Sequence, residues 1–122
     1  MQFDSSKPIW QQLIDEFTRR IVTGVWPAGA KIPSVRELAA EVGVNPNTVQ
    51  KSLVELERLG LAESERTAGR YVTDDQKRID EARNAAARTF ALEYTTKAQG
   101  LGLSHAQAVH LLQALWAESE DQ

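Results

Sequence analysis

The sequence predicts a mainly α-helical fold with one small β-hairpin. Three features carry that expectation: helical spacing of apolar residues over most of the chain, helix-start signals at Ser34, Asn45-Pro46 and Ser104, and a single pair of short extended runs at residues 61–65 and 70–73.

Residues 8–24 place Trp10, Leu13, Ile14, Phe17 and Ile21 in one stripe, as an amphipathic helix requires. Pro8 suits its first turn and Gly24 its end. Residues 25–33 hold two prolines and Gly29, so a turn-rich connection is expected there, with Trp26 and Ile32 as core anchors.

Ser34 and Glu37 form a capping box, in which the Ser34 hydroxyl accepts from the Glu37 N–H and the Glu37 carboxylate accepts from the Ser34 N–H. The short helix starting there buries Leu38, Ala39 and Val42 and stops at Gly43, where a positive φ costs little. Asn45 and Pro46 read as the N-cap and first position of the next helix, which runs to about Leu59 and ends at Gly60. Val49, Leu53 and Leu56 form its inward stripe. Asn47, Lys51 and Arg58 point the opposite way, flanked by Thr48 and Gln50, and Val54 also faces outward. A turn of about four residues between the two helices is the spacing of a helix-turn-helix.

A helix, a capped helix pair and a hairpin in that order make a winged helix-turn-helix, whose second paired helix enters the major groove of DNA. Residues 1–74 are assigned to this unit. Residues 78–98 return to helical spacing, with Ile79, Ala86, Ala87, Phe90 and Tyr94 on one side. Gly100 and Gly102 interrupt them, and Ser104 with Gln107 caps a last helix bearing Val109, Leu111, Leu112, Leu115 and Trp116. Such a pair is too small for a core of its own. Residues 75–122 are therefore expected to form a short two-helix C-terminal dimerisation tail, with Ile79, Phe90, Tyr94, Leu112, Leu115 and Trp116 at the interface. The alternative is that Leu112 and Trp116 cover the chain's own domain.

At 122 residues there is room for one compact domain and a small appendage, without a separate large ligand-binding domain. No window nears the roughly 18 to 20 apolar residues that cross a bilayer, and no basic stretch leads into an apolar run. The expected location is the cytoplasm, with no membrane partner. The absence of cysteine excludes disulfides, thiol catalysis and thiolate zinc sites. A net charge of -3 argues against nucleic acid unless positive charge is local, since residues 1–74 carry nine Lys or Arg against ten Asp or Glu.

The local chemistry meets that condition. Asn and Gln pair bidentately with adenine, Thr bonds a base or touches a thymine methyl, and Lys reaches guanine or phosphate. Asn47, Thr48, Gln50 and Lys51 bring these groups together at the start of one helix. Arg36 on the preceding helix, and Arg66 and Arg70 on the hairpin, stand where phosphates would pass, a positioning role. On a lone helix such a face reads as merely solvated, but the capped pair and the hairpin favour DNA. The rival reading is a winged helix serving as a protein-interaction or RNA-binding module, which the acidic balance favours.

No enzyme and no cofactor are expected. His105 and His110 sit roughly 140° apart around a helix axis and cannot share a metal as an i, i+4 pair could. Gly100-Leu101-Gly102 lacks the preceding strand and third glycine of a nucleotide-binding turn. Asp15-Glu16 and Glu118, Glu120 and Asp121 are charge runs on helix surfaces.

Through Pro33-Ser34-Val35-Arg36-Glu37-Leu38-Ala39, Gly43-Val44-Asn45-Pro46-Asn47-Thr48-Val49 and Leu56-Glu57-Arg58-Leu59-Gly60-Leu61, the sequence resembles the GntR family of bacterial regulators over residues 8–73. The short tail, the Asn-Pro-Asn-Thr turn and the Glu65-Arg66-Thr67-Ala68-Gly69-Arg70 wing resemble its YtrA subfamily. The resemblance implies a homodimer on double-stranded operator DNA, usually as a repressor, in this subfamily often of genes for ATP-driven transporters. A two-fold dimer implies a palindromic operator. The family's DNA contacts fall on Arg36, Asn45, Asn47, Thr48, Gln50 and Gly69. Pro46 and Gln50 stand where many relatives carry Arg, and residues 63–70 make a less basic, less Gly-rich wing. Readout by amides and hydroxyls and weaker phosphate attraction are expected. A crevice between tail and winged helix would suit an unknown small-molecule effector, although no residue set points to one.

Overall fold

The computed structural model describes residues 1–65 and 67–121, so Arg66, an expected phosphate contact, lies outside the described residues. The chain divides into two compact units, Met1–Arg83 and Asn84–Gln122.

The first unit contains α1 (Ile9–Val22), α2 (Val35–Val42), α3 (Pro46–Arg58), β1 (Ala62–Glu65), β2 (Gly69–Val72) and the opening turns of α4 (Gln76–Gly100). Leu13, Phe17 and Ile21 of α1 meet Leu38 and Val42 of α2 and Val49, Leu53 and Leu56 of α3 in one apolar core. Trp26 anchors the connection after α1 by stacking on Phe17, with ring centroids 5.3 Å apart. The Arg20 guanidinium lies over both rings and is tied to Glu16 and to Glu41 of α2, each at 2.8 Å. Trp10 departs from the expected stripe. It is 37% exposed at the rim, its ring 4.7 Å from the Lys51 ammonium, while its carbonyl accepts from the buried Ser52 hydroxyl.

The helix pair is capped as the sequence predicts. Ser34 closes its box with Glu37, Gly43 ends α2 in the left-handed region at φ 72°, and the Asn45 side chain accepts from the Asn47 N–H ahead of Pro46. The hairpin pairs Ala62 with Val72, Glu63 with Tyr71, Ser64 with Arg70 and Glu65 with Gly69. Along the outer edge of β2 the Ile32 N–H donates to the Arg70 carbonyl at 2.8 Å and the Val72 N–H to the Ala30 carbonyl at 2.9 Å. Residues 30–32 thus act as a partial third strand, and a two-stranded ribbon gains the support it lacks alone.

Ile79 requires a correction. Expected at a dimer interface, it is only 3% exposed and belongs to the core of the first unit. The Asp75 carboxylate accepts from the Lys77 N–H and the Asp75 N–H donates to Thr73, so α4 starts early enough to turn Ile79 inward.

In the second unit, Gly102 at φ 82° and the Ser104–Gln107 capping box turn the chain into α5 (His105–Glu120). The Tyr94 hydroxyl donates to the Ala108 carbonyl at 2.8 Å, joining the two helices, and Ala98 is buried between neighbours of the same unit. No α5 side chain is buried. Among the described residues no helix is long and apolar enough to cross a membrane.

Candidate nucleic-acid interface

The N-terminal end of α3 presents the expected side chains. Asn45, Asn47, Gln50 and Lys51 are exposed and Thr48 is half-buried, as its position beside Val49 dictates. Asn45 is committed as a cap through its carbonyl oxygen, at 2.8 Å from the Asn47 N–H. Among the described residues the carboxamides of Asn47 and Gln50 make no hydrogen bond, so both retain their donors and acceptors for a base edge. Lys51 lies over Trp10, which steers its ammonium toward one edge of the α3 surface.

The distribution of ion pairs decides which cations are available. Arg19, Arg20, Arg58, Arg78 and Arg83 are each paired with a carboxylate. Arg36, Lys31 and Lys51 have no carboxylate within salt-bridge distance among the described residues. Arg36 is exposed on the first turn of α2. Three of the cations that carry no carboxylate partner among the described residues therefore lie on or beside the helix pair.

An open groove of about 810 Å³ separates the start of α2 from the wing, lined by Lys31, Ser34, Glu37, Glu65, Gly69 and Arg70. Gly69 is exposed at φ 103°, and a Cβ there would come within 3.0 Å of the Lys31 Cε, so the lysine runs along the glycine's bare face. Arg70, at the border of the same groove, is engaged by α3. Its Nε donates to Glu57 of α3 at 2.6 Å, and the Ser64 hydroxyl donates to the same carboxylate oxygen. Partial burial opposes ionisation of Glu57, but these bonds outweigh it and hold the carboxyl below its usual range.

Lys31, Ser52 and Glu57 were not legible as site residues. Lys31 had one local signal, its place next to Ile32, an expected core anchor, which turns the lysine to the opposite face of an extended segment. The roles of Ser52 and Glu57 depend on partners 42 and 13 residues distant and had none.

In the second unit Phe90, Leu112, Leu115 and Trp116 are exposed, whereas Tyr94 is half-buried with its hydroxyl engaged.

A capped helix pair with unpaired amides and cations at the start of its second helix, flanked by a supported hairpin, defines a winged helix-turn-helix protein. The chain belongs to the gntR family of bacterial regulatory proteins, whose family pattern matches residues 10–72. The regulator YhcF of Bacillus subtilis is 38% identical over 84% of this chain and 85% of its own length. The transcriptional repressor YtrA of the same organism is 44% identical over 60% of this chain and 56% of its own. A GntR family transcriptional regulator from Listeria monocytogenes superposes with a TM-score of 0.88 at 35% identity, covering 92% of this chain and 98% of that one. The DNA-binding domain of AraR, solved with operator ORR3, superposes at a TM-score of 0.53 and 27% identity over 60% of this chain and 88% of that one. Within a family of DNA-binding transcriptional regulators this chain is YtrA-like.

Proposed function

We propose that the protein is a repressor that binds a palindromic operator as a homodimer. Residues 1–74, completed by the first turns of α4, serve as the DNA-binding part and the remaining helices as the dimerisation tail. The observation that carries this reading is the coincidence at α3 of unbonded base-reading amides with the unpaired cations of the winged helix. Asn47, Thr48 and Gln50 read base edges. Arg36 and Lys51 contact phosphate, and Lys31, beside Gly69, reaches phosphate from the base of the wing.

Dimerisation through the tail is supported by the exposed apolar run of Leu111, Leu112, Leu115 and Trp116 on α5, together with Phe90 on α4. A broad apolar face left exposed on a helix calls for a second surface to cover it. The likeness to the transcriptional repressor YtrA supports repression. Transporter genes are the targets we favour, on the subfamily resemblance alone. An effector would bind in the tail, where apolar grooves of about 290 and 300 Å³ flank Tyr94 and Ala98.

The test is a mobility shift on the upstream region of the protein's own operon at several salt concentrations. Specific binding that weakens steeply with salt is the expected result. Failure to bind any duplex at low salt would overturn the reading.

A further inference from the structure

The contacts of Glu57 are not used by the DNA reading. Ser64 and Arg70 face each other directly across the hairpin, one on each strand, and both donate to one oxygen of this α3 carboxylate. Arg70 is 16% exposed and Glu57 28%, so water and salt screen the pair less than a surface ion pair. On the opposite edge of β2, backbone hydrogen bonds from residues 30–32 hold the hairpin. The direction in which the wing leaves α3 is thereby fixed from both sides, and on the α3 side Glu57 supplies a charged hydrogen-bonded anchor.

We propose that Glu57 is a positioning residue that braces the wing against α3 through Ser64 and Arg70, and that Arg70 serves DNA recognition through this brace and not as a phosphate contact. The inference rests on the DNA-binding reading above. It also reverses an electrostatic expectation. Neutralising a carboxylate near a DNA-binding surface should by charge alone tighten binding. If the carboxylate is the brace, neutralising it loosens the wing and weakens binding.

The experiment uses the full chain and an operator duplex selected from random DNA with the wild-type protein. Fluorescence anisotropy titrations over a series of KCl concentrations compare wild type, Glu57→Gln, Arg70→Met and the double variant, with thermal melts to confirm folding. The brace predicts that each single variant binds roughly ten-fold more weakly, the size of one lost charge-assisted hydrogen bond. The slope of log K against log salt stays at the wild-type value, and the double variant is no weaker than the weaker single. A slope shallower by about one unit in Arg70→Met identifies a phosphate contact and overturns the proposal. Tighter or unchanged binding by Glu57→Gln, or losses that add in the double variant, overturns it as well. Should Arg70→Met melt below the assay temperature, the isosteric Glu57→Gln decides alone: weaker binding at an unchanged slope upholds the brace. Wild type that binds while these patterns fail removes only the brace, whereas wild type that binds no duplex removes the DNA reading and the brace with it.

Discussion

Asn45 and Asn47 have the same side chain and different tasks two residues apart. The Asn45 carbonyl oxygen accepts from the Asn47 N–H and starts α3, while the Asn47 carboxamide has no partner among the described residues. Asn47→Ala should therefore weaken operator binding by about 1–3 kcal/mol and leave the melting temperature unchanged. Titration of a selected operator duplex checks it, and unchanged affinity would remove Asn47 from the readout. Ser52 is the opposite case, a hydroxyl with no exposure that donates to the carbonyls of Trp10 and Thr48, both at 3.1 Å. Ser52→Ala should lower unfolding free energy by about 0.5–1.5 kcal/mol, measured by urea denaturation, because the side-chain hydrogen bond that ties α3 to the Trp10 carbonyl of α1 is lost. The Asn45 cap was readable because its bond spans two residues; Ser52 was not, because its bond to Trp10 spans 42.

At the scale of elements, local chemistry wrote most of the boundaries. Ser34 with Glu37, Asn45 with Pro46 and Ser104 with Gln107 all start helices where the sequence predicts, because each cap is completed within three residues. Ser34→Ala should cost about 0.5–2 kcal/mol of stability by removing the acceptor for the Glu37 N–H, seen as a lower urea midpoint at an unchanged slope. How α1 is joined to α2 is a matter of tertiary contact: Arg20 links Glu16 of one to Glu41 of the other. The Arg19 side chain foremost, against partial burial and with help from Arg20, holds the Glu16 carboxyl down to about 2 from 4.5. A carboxyl depressed in the folded state stabilises above its unfolded pKa and loses that contribution as pH falls. Thermal melts of wild type and Glu16→Gln should thus differ most above pH 4.5 and converge toward pH 2. A constant difference across that window would detach Glu16 from the acid response.

At the scale of the whole molecule, α5 carries exposed Leu111, Leu112, Leu115 and Trp116, with Trp116 68% exposed. Trp116→Glu should weaken self-association and operator binding together, since two recognition helices must be presented as a pair to a two-fold site. Sedimentation of the variant as an unaltered dimer would show that the tail interface is misassigned.

Element order, the caps, the winged helix-turn-helix and the family were legible in the residues, because helical period, N-cap chemistry and the Asn-Pro-Asn-Thr turn act over a few residues. Long-range packing settled which cations are paired, that Ile79 lies in the winged-helix core, that Trp10 sits beneath Lys51, and that Arg70 bonds Glu57. Those outcomes depend on which groups meet after the chain has folded back on itself. A carboxylate on α3 has no local way of specifying that its partners will be Ser64 and Arg70, 7 and 13 residues further along the chain.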